Sequence, residues 1–339
     1  MSDLVSGVPA AVPRGAIAAP RVLRPPADAR RALQLSLGAL WLLDGILQFQ
    51  PFMFTKDFAA NVMAPSAQGN PALVADPITW SARIVAGHPV GTNAAFASIQ
   101  VLLGLAIAWR PTVRAGLAAS VPWALAVWWF GEGFGGVLNG TASPLSGAPG
   151  GVVLYALLAV LLWPSDRPGA FPAARAVGTQ AARGLWLLLW GSLAFFAVQP
   201  ANTGPQDVHD MIAGMADGQP GWLASLMNGA ARLTAGRGPA VSIALAVVLA
   251  AIAVAVYLPW PVQRWLLAGA VGVAALIWVC AQALGGLYGG QGTDPNSGPL
   301  LALLALAYWH WPIRDEGAPP PATALTAAAA VSGEGTVES

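Results

Sequence analysis

One block of this chain occurs twice. The stretch 41–164 returns, diverged, at 190–312: Trp41 aligns with Trp190, Gln50-Pro51 with Gln199-Pro200, Asp57 with Asp207, Arg83 with Arg232, Trp128 with Trp278 and Gly135-Gly136 with Gly285-Gly286, at an offset of 149 to 150. Whatever fold serves one copy must serve the other. Both copies are built of apolar segments longer than a soluble core helix requires, so the repeated unit reads as a small membrane bundle.

Composition agrees. Charged residues are 9% of the chain and hydrophobic residues 56%, against roughly 25% charged in soluble domains. A net charge of +1, with no basic cluster interleaved with aromatics, sets aside nucleic acid as a partner; the expected partner is the lipid bilayer. The single cysteine, Cys280, excludes an intrachain disulfide and a multi-cysteine metal site. Fifteen Arg against one Lys, with abundant Ala and Gly, point to a GC-rich bacterial genome.

Residues 1–31 and 313–339 are rich in Pro and Ala, have no periodic apolar face and read as disordered tails. Between them lie eight apolar spans, about 32–52, 90–109, 115–133, 148–164, 184–200, 239–258, 264–286 and 297–312. Each approaches the ~20 residues that cross a ~30 Å hydrocarbon layer, the fourth, fifth and eighth being short. The fold class is therefore all-α: a polytopic membrane protein of two tandem four-helix repeats, 32–164 and 184–312, joined by a linker at 165–183. With the N-terminus inside, twelve of the sixteen basic residues fall on the cytoplasmic face. Only Lys56, Arg83, Arg232 and Arg237 fall outside. Both termini and the linker are then cytoplasmic, the setting is a bacterial inner membrane, and an even number of spans per copy makes the repeats parallel.

The long outer loops, 53–88 and 201–237, each contain a stretch (72–86 and 222–235) suited to a short amphipathic helix at the interface, with Trp80 and Trp222 at headgroup level. Each also carries an acid and a base, Asp57 with Arg83 and Asp207 with Arg232, which read either as a loop-closing ion pair or, for Arg83 with its neighbour His88, as a contact for an anionic or quinone-like ligand. Ionisable groups inside the membrane are more telling, because a charge at the bilayer centre costs at least ~2.5–3.5 kcal/mol. Trp41, Asp44 and Gln48 stand at i, i+3 and i+7 and form one polar stripe that must face the bundle. Glu132 lies near the outer end of the third span. The second copy has Leu193 and Gln282 at these places, so only the first keeps its acids. That asymmetry points to one functional and one scaffold half. A protonated, hydrogen-bonded Asp44 is the structural alternative.

The Gly-rich loops 131–151 and 285–298 lack the Gly-Lys-Ser/Thr element of a phosphate cradle. Ala268 and Gly272 have the spacing of a close helix contact. His88, His209 and His310 are isolated in sequence, so no metal site and no haem pair is expected; His209 with Met211 and Met215 has soft donors for copper but no second His or Cys nearby.

The run Leu-Gly-Ala-Leu-Trp-Leu-Leu-Asp-Gly-Ile-Leu-Gln at 37–48, the loop element Gly69-Asn-Pro71, the turn Arg110-Pro-Thr-Val-Arg114 and the closing helix ending at Trp163-Pro164 together resemble the DoxX/DoxD-like family of four-helix bacterial membrane proteins. The resemblance spans each copy. It implies a subunit of a quinone-linked oxidoreductase, such as a thiosulfate to quinone enzyme, or an accessory protein of thiol and redox homeostasis, with quinone as the cofactor and other redox subunits as partners. The chain departs from that family in being duplicated and in carrying Asp44, and no catalytic residue carries over. A small-solute or proton-coupled transporter and a non-catalytic membrane scaffold are the alternatives.

Overall fold

The computed structural model describes residues 27–165 and 167–311, and among them there are helices and turns but no strand. The first half contributes α1 (Ala27–Leu47), α2 (Ala72–Gly87), α3 (Pro89–Ala108), α4 (Val113–Phe130) and α5 (Gly151–Leu161). A short α6 (Pro172–Val177) follows. The second half contributes α7 (Thr179–Ala197), α8 (Asp207–Ala216), α9 (Gly221–Thr234), α10 (Gly238–Ala253), α11 (Trp260–Cys280) and α12 (Ser297–Ala307).

Four helical segments are long and apolar enough to cross a membrane: Pro89–Ala108, Arg110–Phe130, Gly238–Tyr257 and Trp260–Cys280. They correspond to the second, third, sixth and seventh expected spans. Helices α1 and α7, of 21 and 19 residues, reach a similar length but carry polar residues; α1 holds Asp28, Arg30, Arg31 and Asp44. The fourth and eighth apolar runs form helices of only 11 residues, about 16 Å at 1.5 Å per residue. Their apolarity has another source: α5 and α12 are buried nearly all round, with Leu154, Leu158, Leu300 and Leu304 at the centre of a core that runs through both halves. A helix enclosed by protein has no polar face, whatever its length.

Several boundaries differ from the sequence reading. Residues 27–31, assigned to the first tail, open α1, because Arg30 donates to the Ser165 carbonyl (2.8 Å) and Arg31 to the Ile107 carbonyl (3.0 Å) and to that of Ala108. Arg31 thereby caps the last carbonyls of α3, and Arg30 ties the start of α1 to the chain beyond α5. The rest of both tails lies outside the described residues. The linker is part of the core: Phe171, Ala173 and Ala174 are buried, the Phe171 ring stacks on Tyr308 at 5.3 Å, and the following helix begins at Thr179, not 184. The helical stretches expected in the outer loops are present as α2 and α9, with Trp80 and Trp222 exposed.

Close helix contact occurs elsewhere than at Gly272, around which a Cβ would meet nothing. It occurs between α1 and α3, where a Cβ on Gly104 would stand 2.7 Å from the Gly38 carbonyl oxygen, and one on Gly45 2.6 Å from a Val101 methyl. In a bilayer such contacts count, since lipid is as apolar as leucine and dispersion does the holding.

Polar bonds tie the halves along one seam. Asn202 donates to the Ala142 carbonyl (2.8 Å), Gln282 to that of Pro144 (3.4 Å) and Gln50 to that of Gly292 (3.3 Å).

Candidate functional site

Helices α1 to α5 border a partly open cavity of about 400 Å³ with a wall mostly of aromatic and aliphatic side chains. The stripe read from the sequence faces into it: Trp41, Asp44 and Gln48, with Asp44 only 2% and Gln48 only 4% exposed. The 3.6-residue period puts the three on one side of α1, where Trp41 packs against the Tyr155 ring of α5 at 4.2 Å and Asp44 and Gln48 border the cavity.

Glu132 lines the same cavity from beyond the end of α4, which stops at Phe130. The chain there turns sharply, with positive φ at Gly133, Phe134, Gly135 and Gly136. The turn folds Glu132 back onto the start of α5, where the Val152 N–H donates to its Oε1 at 3.2 Å. A carboxylate at a helix N-terminus is favourably placed. Its second oxygen, Oε2, is buried without a partner. Gly150 makes room for it: a Cβ at that residue would lie 2.2 Å from Glu132 Oε2, and its φ of +123° suits glycine alone. Burial, and after it the charge of Asp294, raises the Glu132 carboxyl to about 8, against the smaller lowering effect of the Val152 bond.

Four residues complete the site that the sequence reading did not single out. Gln100 of α3, Trp123 of α4 and Tyr155 of α5 line the cavity, and Asp294 enters it from the loop between α11 and α12. The second half keeps no acid at the positions matching Asp44 and Glu132, yet it supplies one, Asp294, to the first half's cavity. Asp294 accepts from the Asn296 N–H (2.7 Å) and the Thr293 hydroxyl (2.8 Å), and burial raises its carboxyl above the usual range. Gln100 and Tyr155 gave a local signal of the kind that marked Asp44, a polar group in an otherwise apolar run. Asp294 gave none, because its neighbours in the chain are ordinary loop residues.

Seven buried polar atoms on the cavity wall have no hydrogen-bond partner: Trp41 Nε1, Asp44 Oδ1, Gln48 Oε1, Gln100 Oε1, Trp123 Nε1, Glu132 Oε2 and the Tyr155 hydroxyl. Each costs about 1–3 kcal/mol when left so. They belong to residues that line one apolar space, which marks it as a place for a ligand with polar atoms of its own. The second half is filled at the matching positions. Leu193, 1% exposed, packs in the core, and Gln282 spends its amide on the Ser297 hydroxyl (2.8 Å) and the Gly298 N–H (3.3 Å).

The outer-loop candidates lie apart. Arg83 is exposed and donates to the Thr79 carbonyl one turn back (3.2 Å), and neither it nor the exposed His88 borders the cavity. Neither Asp57 with Arg83 nor Asp207 with Arg232 forms an ion pair; Asp207 instead accepts from the Gly204 N–H at 2.5 Å, and His209 pairs with Asp210 at 2.8 Å. No group of three His, Cys, Asp or Glu suited to a metal ion occurs among the described residues. No family model, no curated protein and no solved structure matches this chain.

Proposed function

We propose that this chain is a bacterial inner-membrane protein of eight spans, arranged as two parallel four-helix repeats with cytoplasmic ends, and that its first repeat holds a quinone as a subunit or accessory of a quinone-linked redox system like that of the DoxX/DoxD-like family. The observation that carries the reading is the cavity with seven unpartnered polar atoms. A quinone is a flat apolar ring with two carbonyl acceptors. The Trp41 and Trp123 N–H groups and the Tyr155 hydroxyl are donors without partners, and the wall of Trp, Phe and Val side chains suits the ring and the start of an isoprenoid tail. About 400 Å³ falls within the ~300–1,000 Å³ usual for small-molecule sites. A scaffold reading leaves those seven atoms unexplained.

The test is titration of the purified protein in lipid nanodiscs with a short-chain benzoquinone, read by quenching of the cavity tryptophans, with native mass spectrometry for quinone retained from the cell. Saturable quenching that weakens at least about tenfold, or 1.4 kcal/mol, in Asp44→Asn supports the reading. Unsaturable quenching, or equal binding by the variant, refutes it. One observation favours a second reading, a proton-coupled transporter: Asp44, Glu132 and Asp294 border one space. Solute flux in proteoliposomes that is lost in Asp44→Asn would select it.

A further inference from the structure

Glu132 and Asp294 border two unlike spaces at once. One is the apolar cavity. The other is a vestibule of about 440 Å³ walled by glycine backbone and small polar side chains, among them Asn139, Thr141, Ser146 and Asn296. Glu132 and Asp294 are the residues common to the two walls, and Asp294 also reaches a third space of about 360 Å³ beside Gln219 and Gln291. Polar atoms at this density hold water, and the vestibule has room for it.

Gly150 and Gly151, on the vestibule side, stand against the two carboxyl groups: a Cβ on Gly150 would touch Glu132 Oε2, and one on Gly151 would lie 3.1 Å from Asp294 Oδ1. Behind them, inside the cavity, stand Asp44 and Tyr155, both buried, with the Tyr155 hydroxyl interacting with the Asp44 carboxyl. No Lys, Arg or His borders either space among the described residues. The groups facing Glu132 are Asp294 from the α11–α12 loop and, deeper, Asp44 of α1 and Tyr155 of α5.

Gln282 supplies an internal comparison. Standing 150 positions beyond Glu132, it also binds the start of the following helix, and its amide does so with both ends used. Holding that helix therefore needs no acid. Glu132 has an acid there, with one oxygen turned to neither helix nor protein donor.

We propose that Glu132 and Asp294 are the narrow point of a hydrated path along which protons pass between the vestibule and the Asp44–Tyr155 pair in the cavity. A hydronium ion in the vestibule gives its proton to the Glu132 carboxylate at Oε2, leaving water and the neutral acid, and the proton then passes through cavity water to the Asp44 carboxylate. One proton moves, Glu132 returns to its starting charge, and no electron is transferred. A carboxyl held near 8 takes up and releases protons close to neutral pH, which suits it to this step. The inference stands whether the cavity's occupant is a quinone or another apolar molecule.

The test is hydrogen–deuterium exchange of the Asp44 acid, followed by its infrared carbonyl band in nanodiscs at about pH 5, with Asp44→Asn identifying the band. The path predicts complete exchange within mixing time in the wild-type protein and at least tenfold slower exchange in Glu132→Leu. Asp294→Asn, which keeps the size and polarity of the side chain, is slowed as well, and thermal unfolding shows whether each variant is folded. Equal rates in wild type and folded variants overturn the proposal, as does slow exchange in the wild type or the absence of an Asp44 band. Loss of quinone binding with fast exchange intact removes only the ligand reading, whereas binding with variant-insensitive exchange removes only the path.

Discussion

Replacing Asp44 by leucine should make the ligand-free protein more stable and less able to bind. Leucine already occupies the matching place in the second half, where Leu193 is 1% exposed. Asp44 Oδ1 is buried without a close hydrogen bond, a defect worth about 1–3 kcal/mol, set against the acid's interaction with the neighbouring Tyr155 hydroxyl. At roughly 2–4 °C per kcal/mol for a chain of a few hundred residues, the substitution should raise Tm by about 2–12 °C. Cys280 is the only thiol of the chain and is half-buried, so the rate at which a maleimide dye labels it on heating reports unfolding. The same variant should bind a short-chain quinone at least about tenfold more weakly. A lowered Tm would mean instead that Asp44 makes a stabilising interaction and that the cavity is not kept open at a cost in stability.

The other expectations concern the turn that carries Glu132 and the helices beside it. The Glu132 carboxyl stands near 8 in the folded protein against 4.5 in an open chain; between those values the folded state holds a proton that the unfolded state has released, so stability falls as pH rises, by at most about 1.4 kcal/mol per unit, and levels off above 8. Thermal melts from about pH 5 to pH 9 should show that slope, and Glu132→Gln should flatten it. Gly150→Ala should destabilise by about 1–3 kcal/mol, because the new Cβ meets Glu132 Oε2 at a φ of +123°, while Gly191→Ala in α7, with open space around it, should stabilise by about 0.4–1 kcal/mol; equal melting shifts would contradict the packing described. Trp128→Phe and Trp278→Phe each strip a bond to a loop carbonyl, Pro149 at 2.6 Å and Pro295 at 2.7 Å. Each should cost about 1–3 kcal/mol in melting experiments, and a silent variant would show that its loop is held otherwise.

Helical membrane character was legible because hydropathy is a local property: a run such as Pro89–Ala108 is long and apolar in any context. The cavity stripe was legible for a related reason. Trp41, Asp44 and Gln48 lie on one helix, where a fixed 3.6-residue period carries each side chain to the same face, and oil forbids that face from turning outward. The ion pairs assigned to the outer loops failed on the same ground: acids and bases 25 to 26 positions apart share no regular element, so nothing in their spacing brings them together.

The chain's own order therefore determined the helical character of the described residues, the four long apolar runs suited to a bilayer, and that Asp44 and Glu132 are set apart from the residues matching them. Tertiary structure alone decided that α5 and α12 are short helices buried at the centre, that 171–176 belongs to the core, and that Asp294 enters a cavity formed by the other half. Periodicity acts over one or two helical turns, whereas the meeting of Asp294 with Glu132 spans some 160 positions and depends on how every helix between them packs.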